Sequence, residues 1–415
     1  MTIFASMRRL LTGQPQLERL AALEEKVVKF GRAQREQLAR QDVRLEALRE
    51  TIAERASTSA VRALGRRAED VQTSLVQLDR TFAEALERAR LLDQQGSEDR
   101  RFARRIESML RHHRPIIVGP WTGEIGFELL YWIPFVRWVA QTYGVPPERL
   151  FVVSRGGVER WYGGIAGSYT DVFAFFPPDE FRAATEAAKK QRGVRAFDAE
   201  VVDRVMAAHQ LRRANLLHPG MMYRLFMPFW KELAPVTRID RYAAYARIEA
   251  ENEPVLRELP ADYVAARFYF SDCFPDSPSN RELVASILET ISRERPVVLL
   301  NTPFAVDDHC DAAAAGGRVT TIGSAHMVPE RNLAVQTAII AGAHSFVGTY
   351  GGYSYLAPFC GVPSLAFYSR RSFQGSHSHV ARRAFEGLGG APLIPLDVHD
   401  LPLIRLALSG SASTT

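Results

Sequence analysis

Only three cysteines occur in the 415 residues, Cys273, Cys310 and Cys360, and they stand 37 and 50 positions apart. That excludes the paired spacing of a zinc ribbon and offers no disulfide framework, so a reducing compartment is expected. Lysine is almost as scarce. Its five copies, Lys26, Lys29, Lys189, Lys190 and Lys231, all lie outside glycine-rich loops, which argues against the P-loop chemistry of ATPases and kinases. There is no run of about 18 apolar residues, and Met1 to Gly13 lacks a continuous apolar stretch, so neither a membrane span nor a cleaved signal peptide is expected. These absences together point to a cytoplasmic protein.

Proline is missing from Leu17 to Leu92. Within that stretch apolar residues recur in alternating steps of three and four through Val61, Leu64, Ala68, Val71, Leu75, Leu78, Phe82, Ala85, Ala89 and Leu92. This is the a/d seam of a coiled coil. An earlier seam through Leu17, Leu20, Val27, Leu38, Leu45, Leu48 and Ile52 is out of phase with it, and a bend or break near Ser57 to Ser59 would reset the register. Gly96 and Ser97 suggest the end of the helical pattern. A rod of this kind buries its stripe only against a partner, so residues 1–111 are expected to form a helical coiled-coil arm that makes the protein a homo-oligomer.

The formal net charge of +5 belongs entirely to that arm, which holds 22 Lys+Arg against 17 Asp+Glu; the remainder has 30 of each. An enzyme of nucleic acid is therefore not expected beyond the arm. The basic excess leaves room for peripheral attraction to the inner face of a membrane.

After the arm, 47 % hydrophobic composition over the chain supports a sizeable core. Pro115 to Gly119 predicts a short buried strand, Phe127 to Tyr143 a helix and Leu150 to Ser154 a second strand. Helical patterns follow at Asp198 to Leu211 and Arg238 to Glu251. From Asp262 a second alternation begins, with strands predicted at Tyr263 to Phe268, Pro296 to Leu300, Arg318 to Ile322, His344 to Val347 and Ser364 to Tyr368. Helices are predicted at Asn280 to Arg293, Asn332 to Ala341 and Tyr353 to Cys360. Such alternation reads as an α/β fold. Two Rossmann-like domains facing a cleft, 112–255 and 256–415, are the expected arrangement, with a single large sheet as the alternative.

Two loops carry the candidate chemistry. The first follows the Pro115 strand and includes Gly119, Trp121, Gly123, Glu124, Gly126 and Glu128. Its glycines let a ligand approach the backbone, and Glu124, or with less support Glu128, can act as a general base if partial burial lifts its pKa. The plainer role for either is to complement a helix dipole. The second loop, from Gly348 through Thr349, Tyr350, Gly351, Gly352 and Ser354, joins a strand to a short helix. Backbone amides and two hydroxyls there would cradle an oxyanion without a lysine.

On these two loops, and on the Gly361 to Pro363 turn, the chain resembles bacterial sugar transferases of the GT-B architecture, particularly the lipopolysaccharide heptosyltransferases. The resemblance implies that Gly348 to Ser354 contacts a donor diphosphate. It also implies that Gly119 to Glu128 lies where the acceptor approaches a carboxylate base. Where that group carries an acidic residue before the Gly and a His after it, this chain has Tyr350 and Tyr355. Arg267, Asn301, Thr302 and Glu330 stand at predicted strand ends or before a helix, and complete an expected donor site. Each has a bland alternative: Arg267 in a salt bridge with Asp272 or Asp276, Asn301 capping a turn, Glu330 in a helix's first turn.

The implied activity is metal-independent glycosyl transfer from a nucleotide sugar to a glycan or lipid-linked acceptor, with no cofactor. His377 and His379 read as surface loop, and Asp307, Asp308 and His309 lack the strand-flanked spacing of a manganese site. Arg370 and Arg371, with Arg382 and Arg383, read as solvated loop charge. Two other functions fit the same pattern: an assembly protein whose α/β part is inactive or lectin-like, and pyruvyl transfer to a polysaccharide.

Overall fold

The computed structural model describes residues 36–51, 58–186, 190–304, 310–312, 318–370 and 375–401. The reset near Ser57 and the Asp307 to His309 cluster fall wholly or partly outside these residues, as does Arg371. Two compact units are present, Met1–Arg101 and Phe102–Thr415.

In the first unit residues 36–51 are helical, and a second helix, α1, begins at Thr58 and runs to Leu110. It passes through Gly96 and Ser97 rather than ending there. One glycine costs a helix about 1 kcal/mol, which good helix formers on both sides offset. The seam residues Val71, Leu78 and Phe82 are 52, 59 and 61 % exposed. No described helix is long and apolar enough to cross a membrane.

The end of α1 belongs to the second unit. Phe102, Ile106 and Met109 are buried there, and the Phe102 ring lies 5.5 Å from Phe135 and 6.3 Å from Tyr242.

That unit is α/β, with two separate parallel sheets. The first contains β1 (Ile116–Val118), β2 (Leu150–Ser154), β3 (Ser168–Asp171) and β4 (Asn215–Leu217), in the order β3-β2-β1-β4. The second contains β5 (Val264–Arg267), β7 (Val297–Leu299), β9 (Val319–Thr321), β10 (Ser345–Thr349), β11 (Ser364–Tyr368) and β12 (Leu393–Asp397). Its order is β12-β11-β10-β5-β7-β9. Counted from β5 along the chain, this is the 3-2-1-4-5-6 order of doubly wound sheets, which reverses between β5 and β10. A small antiparallel pair, β6 (Tyr269–Phe270) with β8 (Cys310–Asp311), extends beyond β5.

Both sheets are covered on two faces, so their central strands are short apolar runs. In β1, Ile117 packs with Phe176, Phe181 and Val201, against α4 (Pro178–Thr185) and α5 (Ala196–Ala208). Ile116 and Val118 face the other way, toward α3 (Ile133–Tyr143) and α6 (Pro219–Trp230). In the second sheet Val264 and Ala266 pack toward α8 (Pro278–Glu294). Ala265 and Phe346 face the side holding α9 (Asn332–Ala341), α10 (Gly352–Phe359) and α11 (Gly375–Gly387). The inward faces of both sheets share one apolar cluster, so the two sheets are joined by a common core.

Three segments depart from the expected elements. The helix predicted from Phe127 to Tyr143 is interrupted: a single turn, α2 (Ile125–Phe127), leads into a π-helical turn at Glu128–Trp132 and then α3. Pro134 has no N–H for the carbonyl four residues earlier, and the Tyr245 hydroxyl donates to that Leu130 oxygen at 3.0 Å instead. The helix predicted from Arg238 to Glu251 shrinks to α7 (Thr237–Asp240). Beyond it the backbone is irregular, because Ala244 N donates to Pro134 O and Ile248 N to Phe359 O, each at 2.9 Å. Finally, His377, His379, Arg382 and Arg383 lie in α11 rather than a loop, with His377 Nδ1 2.6 Å from the Tyr131 hydroxyl and Arg383 paired with Asp240 at 2.5 Å.

Candidate functional site

The first loop leaves β1 between β2 and β4, where the strand order reverses, and such a reversal opens a crevice at the carboxyl ends of the strands. Gly119 N donates to Leu217 O, and Trp121 N to Val153 O, each at 2.9 Å. Gly119 has φ +121°, and a Cβ there would stand 2.5 Å from Val153 O, so only glycine fits. The Trp121 side chain is wholly buried, stacked 6.0 Å from Trp132 and 6.4 Å from Tyr223. It anchors the loop.

Residues far away in sequence hold the loop's outer part. Gln191, 1 % exposed, accepts from Thr122 N at 2.9 Å and donates to Pro120 O at 2.8 Å. Arg195 donates to the Thr122 hydroxyl at 2.7 Å and pairs with Asp198 at 2.9 Å. Burial raises the Asp198 pKa, but hydrogen bonds from His218 and Arg195 outweigh it and leave the carboxyl at about 2. Beyond this brace Glu124 is exposed at the N-cap of α2. Gly123, just before it, is buried.

Glu128 has the opposite surroundings. It is fully buried, and its Oε1 accepts from Ser154 at 2.6 Å and Tyr162 at 2.7 Å, while Oε2 lies 3.8 Å from Arg155. Burial lifts its pKa to about 7 against the opposing pull of Arg155 and the two hydroxyls. Nearby Asp171 accepts from Gly157 N at 2.7 Å and the Tyr169 hydroxyl at 2.9 Å. Burial raises it to about 6. These two carboxyls brace the turn after β2, whose Gly156 carbonyl accepts from Leu333 N at 2.9 Å and Ala334 N at 3.0 Å at the start of α9.

The second loop leaves β10 at the reversal in the other sheet. A Cβ on Gly348 would collide with the Arg267 carbonyl, and one on Gly351 with the Tyr269 hydroxyl. The Thr349 hydroxyl donates to Tyr269 O at 2.8 Å and accepts from Tyr269 N at 3.0 Å, so it ties β10 to β6. The Ser354 hydroxyl donates to Gly351 O at 2.8 Å and accepts from Gly351 N at 3.0 Å, which sets the turn into α10. Tyr350 is buried, its ring 5.5 Å from Tyr355.

Arg267 lies beneath this loop, 7 % exposed. It donates to Leu300 O at 3.0 Å, Gln336 Oε1 at 2.5 Å and the Tyr353 hydroxyl at 2.8 Å. It pairs with Asp311 at 3.2 Å, not with Asp272 or Asp276, and lies 4.3 Å from the Tyr353 ring centroid. Asn301 donates to Ala312 O at 3.0 Å, and Thr302 N to Asp311 at 3.1 Å. Glu330 is exposed, and its backbone oxygen stands where a Cβ on Gly157 would reach it at 2.8 Å.

The two loops meet. A Cβ on Gly352 would stand 2.9 Å from both Gly126 N and Ile125 Cβ, and one on Gly126 3.3 Å from the Tyr355 ring. Gly126 and Gly352 therefore meet backbone to backbone, with Glu124 exposed two residues before the contact, whereas Glu128, Trp121, Thr349 and Arg267 are buried. Sequence reasoning missed Gln191, Arg195, Asp198 and His218 because no local spacing links them to the loop they hold. Among the described residues no group of three or more His, Cys, Asp or Glu is placed to hold a metal ion.

No family model and no curated protein matches the chain. Several solved structures do. The chain is similar to a glycosyl transferase family 9 protein from Veillonella parvula at 13 % identity, covering 71 % of this chain and 89 % of that one with a TM-score of 0.40. It is also similar to the ADP-heptose LPS heptosyltransferase II of E. coli at 9 % identity, covering 62 % and 85 %, with a TM-score of 0.36. A third is the glycosyltransferase SnogD from Streptomyces nogalater, at 11 % identity, 71 % and 99 % coverage and a TM-score of 0.32. All three are glycosyltransferases.

Proposed function

We propose that the protein is a metal-independent glycosyltransferase that moves a sugar from a nucleotide-sugar donor to a glycan or lipid-linked acceptor. In this reading residues 112–255 form the acceptor side and 256–415 the donor side of two Rossmann-like lobes. The arm joins copies of the chain into a homo-oligomer at the cytoplasmic face of a membrane. The observation that supports the chemistry most is the approach of Gly126 to Gly352, which sets the carboxylate-bearing loop against the amide-rich start of α10.

The physical problem in such a transfer is the departing diphosphate. The first-turn amides of α10, beginning at Gly352, meet that charge, and the buried Arg267 guanidinium adds positive potential from behind the Tyr353 ring. Thr349 and Ser354 keep the turn in shape rather than reaching the ligand. Asn301, Thr302 and Glu330 border the nucleoside end. As the bond from the anomeric carbon to the phosphate oxygen breaks, its electron pair leaves with the diphosphate. A new bond forms to the acceptor oxygen, whose proton passes to the exposed carboxylate of Glu124. Glu128 supports that loop from the interior and touches no substrate.

Thermal-shift titration of the full chain with UDP, GDP, ADP and CMP tests the donor site, because a ligand bound only by the folded state raises the melting temperature by mass action. At least one nucleoside diphosphate is expected to do so, and to lose its effect in Gly352→Val. If none of the four shifts the transition, the transferase reading fails.

A further inference from the structure

Lysine is scarce in this chain, yet one of its five copies adjoins the residue that braces the Glu124 loop. Gln191 is buried and bonds Pro120 O, Thr122 N and, at 3.2 Å, Asp198 Oδ1. Its inward-facing amide pins residues 190–192 to the loop that carries Glu124. The neighbours on either side, Lys190 and Arg192, are exposed, and among the described residues neither has a carboxylate within 4.0 Å. The Arg192 backbone is held close, since a Cβ on Gly220 would lie 2.9 Å from its carbonyl oxygen.

Lys190 faces an aromatic cluster at the foot of this loop. Lys190 Nζ lies 5.4 Å from the Phe127 ring centroid. The half-buried rings of Phe127 and Trp230 are 5.5 Å apart, and Tyr223 is 5.4 Å from Trp230. Burial lifts the Tyr223 hydroxyl, Glu124 adds to the rise, and Arg192 and Arg195 oppose it, so these charges act on the same group. Arg195 is committed to Asp198. Lys190 and Arg192 flank one buried residue on an exposed segment with no described carboxylate within 4.0 Å of either, an arrangement that leaves both cations open to an anion. Apolar ring faces beside them suit the C–H face of a pyranose.

Building on the transferase reading, we propose that Lys190 and Arg192 bracket an anionic substituent, a phosphate or a carboxylate, on the acceptor saccharide, with Phe127 and Trp230 packing against its ring. The acceptor is then an acidic glycan, and its charged group fixes which hydroxyl faces Glu124.

Titration calorimetry with glucose 6-phosphate, glucuronate and glucose, on the wild type and on K190A/R192A, tests this at low salt and at 0.3 M salt. The two anionic sugars are expected to bind about tenfold more tightly than glucose at low salt. That preference should vanish in the double variant while UDP, GDP and ADP bind as before. Equal affinity for all three sugars in the wild type overturns the proposal, as does a preference that survives the double substitution. Loss of nucleotide binding in the double variant would assign the bracket to the donor and also overturn it. If anionic sugars bind through the bracket while no nucleotide binds at all, the bracket stands and the transferase reading falls; the reverse result removes the bracket alone.

Discussion

Gly126 and Gly352 face each other where the two loops meet, with no side chain between them: a Cβ on the first would lie 3.4 Å from the Cα of the second, and a Cβ on the second 2.9 Å from the amide nitrogen of the first. Two loops distant in sequence, from two different sheets, are thus brought into backbone contact by the absence of two methyl groups. Gly352→Ala would force those backbones apart. Overpacking of this kind costs about 1–3 kcal/mol, so urea unfolding should show a loss in that range. Gly126→Ala, whose nearest neighbour is the movable Tyr355 ring at 3.3 Å, should cost less.

Glu124 is exposed and is expected to act on substrate, so Glu124→Gln should leave the melting temperature unchanged. Turnover with the nucleotide sugar identified by the titrations should fall by about 10²- to 10⁴-fold, the usual contribution of a general base. Donor affinity should hold within about twofold. Equal losses in turnover and donor affinity would remove Glu124 from the role of base.

Glu128 predicts a pH dependence of stability. Its folded pKa is about 7 against an ordinary value of 4.5. Between those values the folded state keeps a proton that the unfolded state has lost, so this group's contribution is full below about 4.5 and disappears as pH rises through 7. In Glu128→Gln the amide oxygen can still accept from Ser154 and Tyr162. The stability of the variant relative to wild type should therefore rise from pH 4.5 to 7 and then level off, by roughly 3 kcal/mol in all. A difference that is flat with pH, read by urea unfolding, would contradict this.

Arg267 holds Asp311, Gln336 and Tyr353 together below the second loop. Arg267→Leu leaves the partly exposed Asp311 carboxylate without its guanidinium and the buried Gln336 and Leu300 oxygens without their donor, which should cost about 3 kcal/mol, the lower end for breaking a buried pair on one side. Denaturation should show that loss with or without nucleotide present.

The arm predicts association. Val71, Leu78 and Phe82 are exposed on α1, and a strict seven-residue repeat is satisfied by supercoiling with a partner. Light scattering should find the full chain oligomeric and V71D/L78D monomeric. A monomeric wild type at micromolar concentration would sink the coiled-coil reading.

The elements most legible in the sequence were those buried on both sides. Leu150–Ser154, Ser364–Tyr368 and Asn332–Ala341 have the predicted bounds, because burial on both sides leaves segments that are mostly apolar along their whole length. Arg238 to Glu251 misled for a related reason. Its apolar residues recur at helical spacing and two of them, Tyr242 and Ile248, are buried, but hydrogen bonds to Pro134 and Phe359 draw the backbone off a helical path. Periodicity reports which side chains seek the interior, not which partners the amides find.

By itself the sequence determined that a proline-free amphipathic helix precedes an α/β portion, and that glycine clusters end two of its strands, because those features follow from local sterics and apolar spacing. Only the tertiary structure decided that Glu124 is exposed and Glu128 buried, that Arg267 is spent on internal partners, and that Gln191 sets two cations beside the crevice. Those outcomes depend on dielectric surroundings and on contacts between segments remote in sequence, and no local pattern encodes them.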